Sequence, residues 1–137
     1  MTKIKCFYIC LLFLGLGIQQ SYSQTYKFKT SGYSILKKNE NGKWGKWSDL
    51  SLVNILVSLD TDKNRILVYS QAIQLFDIIT YQPESESESD LVYSFSCKDN
   101  DGIDCTVSII TRKKQENRKQ LYITYDDYVI VYNIFSI

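Results

Sequence analysis

Cys97 and Cys105 are the residues whose chemistry this chain specifies most directly. They flank Asn100-Asp101-Gly102, a connector suited to a three-residue hairpin loop in which Gly102 takes the left-handed backbone conformation. That loop pairs Asp99 with Ile103, Lys98 with Asp104 and Cys97 with Cys105, and it sets Phe95 against Val107 and Tyr93 against Ile109. A two-residue turn at Asp101-Gly102 sets Cys97 against Thr106 and scrambles the two faces, so the first register is the one a half-buried sheet retains. In an oxidising compartment the pair is expected to form a Cys97–Cys105 disulfide.

Other reactive side chains are few. The chain contains no histidine, which removes Ser-His and Cys-His nucleophilic catalysis and every zinc site built with histidine. Asp60, Asp62 and Asn64, and separately Asp99, Asp101 and Asp104, have oxygen ligands at calcium-like spacing. However, Arg65 stands where a calcium loop needs glycine and Gln71 where the bidentate glutamate belongs. No metal and no cofactor is expected. Asp77 interrupts the apolar series Ile73-Leu75-Asp77-Ile79-Tyr81. If that face is the core, Asp77 is a site candidate; if Gln74-Phe76-Ile78-Thr80 faces inward, it is solvated. Trp44 and Trp47 close the set, as polarisable rings able to stack on an entering ligand. The expectation is a non-enzymatic protein with no catalytic residue and a ligand site using Trp44, Trp47 and Asp77.

The elements that position these residues are strands. Residues 1–23 read as a secretory signal: Lys3 and Lys5, an apolar run from Cys6 to Ile18, then Ser21 and Ser23 before a cleavage point at Gln24. The apolar run is short for a membrane span, so no span is expected in the mature chain. Losing Lys3 and Lys5 takes the formal net charge from +1 to −1, which does not favour nucleic acid. The product is expected outside the cytoplasm, periplasmic or extracellular, as a single all-β domain over residues 24–137.

Period-two alternation predicts nine strands: 25–38, 43–48, 51–60, 64–70, 73–82, 90–98, 103–112, 119–125 and 128–135. The first kinks at Ser31-Gly32. Asn41-Gly42 marks one hairpin, and Asp126-Asp127 marks the last, pairing Tyr125 with Tyr128 and Ile123 with Ile130. Short strands joined by short turns make an antiparallel meander of eight or nine strands, expected to close into a small barrel, with a two-sheet sandwich as the alternative. The outline is similar to a lipocalin-type barrel in architecture alone, without any family motif.

In that meander, connectors alternate between ends. Asn39–Gly42, Asp60–Asn64, Pro83–Ser89 and Lys113–Arg118 gather at one end, the expected mouth. The turns near Ser48–Ser51, Ser70–Ala72, Asn100–Gly102 and Asp126-Asp127 gather at the other. The ligand expected there is small and partly apolar or amphiphilic. A second reading is a protein-interaction or envelope-structural module, with a partner meeting Tyr122, Val129 and Val131 on the outer face of the last hairpin.

Overall fold

Alternating burial is visible along parts of the long strands, most clearly β8, of the computed structural model, which describes residues 24–137. The expected signal peptide over residues 1–23, and with it the expected cleavage and localisation, lies outside that range. The strands are β1 (Thr25–Lys37), β2 (Ser51–Leu52), β3 (Leu56–Asp60), β4 (Arg65–Tyr69), β5 (Ile73–Tyr81), β6 (Ser85–Glu86), β7 (Asp90–Lys98), β8 (Asp104–Arg112), β9 (Arg118–Thr124) and β10 (Tyr128–Ser136).

Eight of them, β1, β3, β4, β5, β7, β8, β9 and β10, pair antiparallel in chain order, and β10 pairs back onto β1 from Phe28–Ser136 to Lys37–Tyr128. The chain is therefore a closed eight-stranded β-barrel and not a two-sheet sandwich; closure satisfies the main-chain groups that open edges would leave unpaired. The two-residue pieces β2 and β6 lie beside β1 and β7.

Each hairpin obeys its own turn chemistry. Gly102 has φ +75° and Gly42 φ +74°, the left-handed values those turns demand. Asp99 N donates to Ile103 O at 3.0 Å, and the β7–β8 ladder then runs through Lys98–Asp104, Cys97–Cys105, Phe95–Val107 and Tyr93–Ile109, as the sequence predicts. At the last hairpin, Tyr125 N donates to Tyr128 O at 2.9 Å and their rings stack with centroids 4.6 Å apart.

Two bulges shape the wall. Ser31 is the extra residue in β1, between the pairs Thr30–Ile134 and Gly32–Asn133, where the kink was expected. Thr30, only 1% exposed, bridges the irregularity: its Oγ1 donates to Val53 O at 2.9 Å and accepts from Ile55 N at 3.0 Å. The second bulge is at Ile79, between the pairs Ile78–Cys97 and Thr80–Ser96.

The interior is filled by the chain's own side chains. Phe76, Ile66, Leu121, Ile123, Val57, Val68 and Val107 are all essentially inaccessible and come from β3, β4, β5, β8 and β9. An eight-stranded barrel is about the size at which side chains alone fill the lumen.

Candidate functional site

The sequence predicts a separate strand at 43–48 and a turn at Ser48–Ser51; neither exists. Residues 44–55 run in one direction beside β1. Gly45 N donates to Lys37 O, Ser48 N to Ile35 O and Val53 N to Ser31 O, and Lys38 bridges Trp44. Gly45 and Ser48 interrupt the alternation, so this segment follows β1 as an irregular strap and adds no reversal of its own. The Asn39–Gly42 turn therefore sits at the end holding Ser70–Ala72, Asn100–Gly102 and Asp126-Asp127. Lys38 N donates to Asp127 O at 2.9 Å, which fixes that neighbourhood. The opposite end keeps three charged connectors, 61–64, 82–89 and 113–117, together with Gln24 and Ile137.

This corrects the predicted placement of Trp44 and Trp47, which lie away from the charged-loop end. Trp47 packs edge-on against Tyr122, centroids 6.4 Å apart, on the outer wall, and Lys38 Nζ stands 5.0 Å over the Trp44 ring. Leu50 covers Gly32 so closely that a Cβ there would meet its Cδ1 at 2.9 Å.

Asp77 is likewise outside. Gln74, Phe76 and Ile78 turn inward, so the solvated alternative holds for Asp77, which is exposed. It is one rung of a charge ladder across the outer face, whose successive register partners are Asp60, Arg65, Asp77, Lys98 and Asp104. Within it Lys98 Nζ lies 2.8 Å from Asp104 Oδ1. The wall does not bring Trp44, Trp47 and Asp77 together.

The last hairpin offers no open apolar patch either. Val129 is buried, Tyr122 and Val131 are half-buried, and Trp47 lies against Tyr122. Arg112 also holds Tyr122. Its Nη2 donates to the hydroxyl at 3.2 Å, its Nε to Gln120 Oε1 at 3.1 Å, and its Nη1 meets Asp90 Oδ1 at 3.1 Å. The Asp90–Arg112 pairing follows from the predicted register. Gln120, buried and bonded onward to Asn133 Oδ1 at 3.1 Å, gave no signal in the sequence.

The calcium-like carboxylates hold their own turns. Asp60 Oδ1 accepts from Asp62 N and Lys63 N at 3.1 Å, and Asp99 Oδ1 accepts from Asp101 N and Ile103 N at 2.9 Å. Cys97 and Cys105 are buried free thiols facing each other across β7 and β8. Burial first, then each thiol's acidic surroundings, pushes Cys97 up to about 12 and Cys105 up to about 11. They border an open groove of about 420 Å³ that Lys98, Asp104 and Tyr125 also line.

Sequence reasoning counted Tyr93 among the aromatics that could line a cavity; what it missed is Tyr26 and Tyr81, which join Tyr93 at the charged-loop end. Tyr26 shares the inward parity of Phe28, Tyr93 that of Phe95, and Tyr81 is the direct partner of Phe95 because the Ile79 bulge reverses the parity of β5. All three have inward parity, yet they remain 44%, 42% and 45% exposed. Tyr81 packs T-shaped on Phe95 at 5.5 Å, and its hydroxyl donates to Asn64 Oδ1 at 2.6 Å. Burial and then the Glu84 carboxylate push the Tyr93 phenol up, with Glu86 and Tyr26 adding to it. Burial, then Cys97 and Asp60, does the same to Tyr81. The three rings thus rim one mouth, with a base of Phe95 and Phe28 beneath. The period-two pattern marks Tyr26 and Tyr93, but nothing local marks the bulge that admits Tyr81.

No protein-family model matches the chain, and no curated protein or solved structure is significantly similar to it.

Proposed function

We propose that this chain is an exported, non-enzymatic β-barrel binding module that holds a small, partly apolar ligand at the tyrosine-rimmed mouth. One observation carries the reading: Tyr26, Tyr81 and Tyr93, from three different strands, turn toward the lumen at the same end and stay accessible. Half-accessible aromatic side chains, each with a polar tip, combine apolar contact with directional hydrogen bonding. The middle of the barrel is filled, so the ligand rests in the mouth and does not enter a deep cavity.

Export rests on the charged start, apolar run and small residues of 1–23, and it motivates the Cys97–Cys105 disulfide. The test is calorimetric titration of the purified exported protein with a panel of amphiphilic probes. Saturable micromolar-to-millimolar binding that is lost in a Tyr81→Ala/Tyr93→Ala double variant and kept in Trp47→Ala is the expected result. Binding lost in Trp47→Ala and kept in the double variant would move the site to the strap and reject this reading.

A second reading, a protein-interaction module, is favoured by the strap itself. Trp44, Trp47, Leu50 and Leu52 are exposed within one short segment, and β2 pairs with β1 alone. Capture of an extended peptide by that edge, without any effect of the tyrosine variants, would support it.

A further inference from the structure

Resting on the mouth as the binding site, we infer that its ligand is an organic cation of the quaternary-ammonium class, held among Tyr26, Tyr81 and Tyr93 beside Glu84. A ring face carries negative quadrupolar charge, and several faces turned to one point attract a cation that has no N–H to donate. Three tyrosines of inward parity, on β1, β5 and β7, stand accessible at one end here. Phenol hydroxyls engaged on neighbours keep the rings from turning freely: Tyr81 donates to Asn64 Oδ1 and Tyr26 to Gln24 Oε1.

Acidic and basic side chains both stand around these rings, and the acidic side chain nearest Tyr93 is Glu84. Glu84 lies beside Tyr93, and Glu86 and Glu88 follow on the same exposed connector. Several cations at this end are engaged elsewhere. Lys113 Nζ meets Glu86 Oε1 and donates to Ser87 O at 3.0 Å and Arg112 is held by Asp90, while Lys119, of the inward parity of Leu121, keeps its charge and donates to the neutral Thr111 Oγ1 at 3.0 Å. Lys63, beside Asn64, is the cation of the 61–64 connector.

A neutral apolar ligand would use the same rings but gain nothing from Glu84. A quaternary ammonium gains from both.

The experiment compares choline with its uncharged isostere 3,3-dimethyl-1-butanol in calorimetric titrations of the purified exported protein, with tetramethylammonium as a third probe. Choline and tetramethylammonium are expected to bind, with choline favoured about tenfold over the isostere. Glu84→Gln should weaken choline about fivefold and leave the isostere unchanged, and Tyr93→Leu, which keeps apolar bulk, should weaken choline about tenfold. Glu84 is exposed, so its variant tests the idea without endangering the fold. Equal binding of choline and the isostere overturns the cation inference while leaving the mouth as the site. Failure of every probe at millimolar concentration overturns both.

Discussion

The hydroxyl of Tyr125 donates to Asp99 Oδ2 at 2.8 Å and so ties the turn between β9 and β10 to the loop between β7 and β8. Both residues also serve their own turns: Asp99 through the N–H groups of Asp101 and Ile103, Tyr125 by stacking on Tyr128. The contact couples two local hairpins into one rigid end of the barrel.

Tyr125→Phe should therefore lower stability by about 1.5–3 kcal/mol, the range for a hydrogen bond to a charged acceptor, read from urea unfolding. Burial pulls the Asp99 carboxyl up, but the Ile103 N–H, the Tyr125 hydroxyl and the Asp101 N–H outweigh it and hold the carboxyl below its ordinary value. A depressed acid binds its proton more weakly in the folded chain than in the unfolded chain. Its stabilisation is present above the ordinary carboxylate value and is lost as pH falls through the folded one. Asp99→Asn should flatten that part of the acid-stability profile; an unchanged acid slope would assign it to other carboxylates.

At alkaline pH the sign reverses. Burial first, and then Asp99, raises the Tyr125 phenol, and Cys97 and Cys105 sit at about 12 and about 11. These acids prefer to stay protonated in the folded chain. Their contribution is full below the ordinary thiol value of 9.0 and falls as pH rises above it. In reduced protein both thiols should resist alkylation when folded and react when denatured, as mass spectrometry of iodoacetamide-treated samples would show.

The exported protein should carry the Cys97–Cys105 disulfide. Alternation from the hydrogen-bonded Asp99–Ile103 pair makes Cys97–Cys105 a hydrogen-bonded pair as well, with Cα atoms about 5.5 Å apart, inside the range a disulfide spans. The bond closes a loop already held by the hairpin, so its gain should lie at the low end of about 2–4 kcal/mol. Thiol titration of unreduced, denatured protein checks it, and two reactive thiols per chain would reject it.

Leu121→Ala removes a side chain with 0% exposure and should cost about 2–5 kcal/mol. Asp77→Asn, on the exposed outer ladder, should stay within about 0.5 kcal/mol. Urea midpoints of the two variants measure how different the faces of the wall are.

Gly102→Ala should cost about 1–2 kcal/mol, because φ +75° is a left-handed value that a Cβ disfavours even though nothing lies near it. Gly102→Asn should cost less, since asparagine tolerates that region. Equal losses would point to a contact at the turn and not to backbone conformation.

The sequence by itself determined the all-β class, the β7–β8 and β9–β10 registers and the facing of Cys97 and Cys105. These are local properties. A turn closed by Gly102 or by Asp126-Asp127 sets the pairing of the residues that leave it, and period-two alternation then fixes both faces. Tertiary structure decided the rest. Closure of β10 on β1 is a pairing between chain ends. The course of residues 44–55 depends on which edge of β1 is free, so their residue types alone do not show whether they turn or continue. The Ile79 bulge is a mismatch between β5 and β7, visible only when the two strands are laid together. It brings Tyr81 inside, and lets three tyrosines distant in the chain share one mouth.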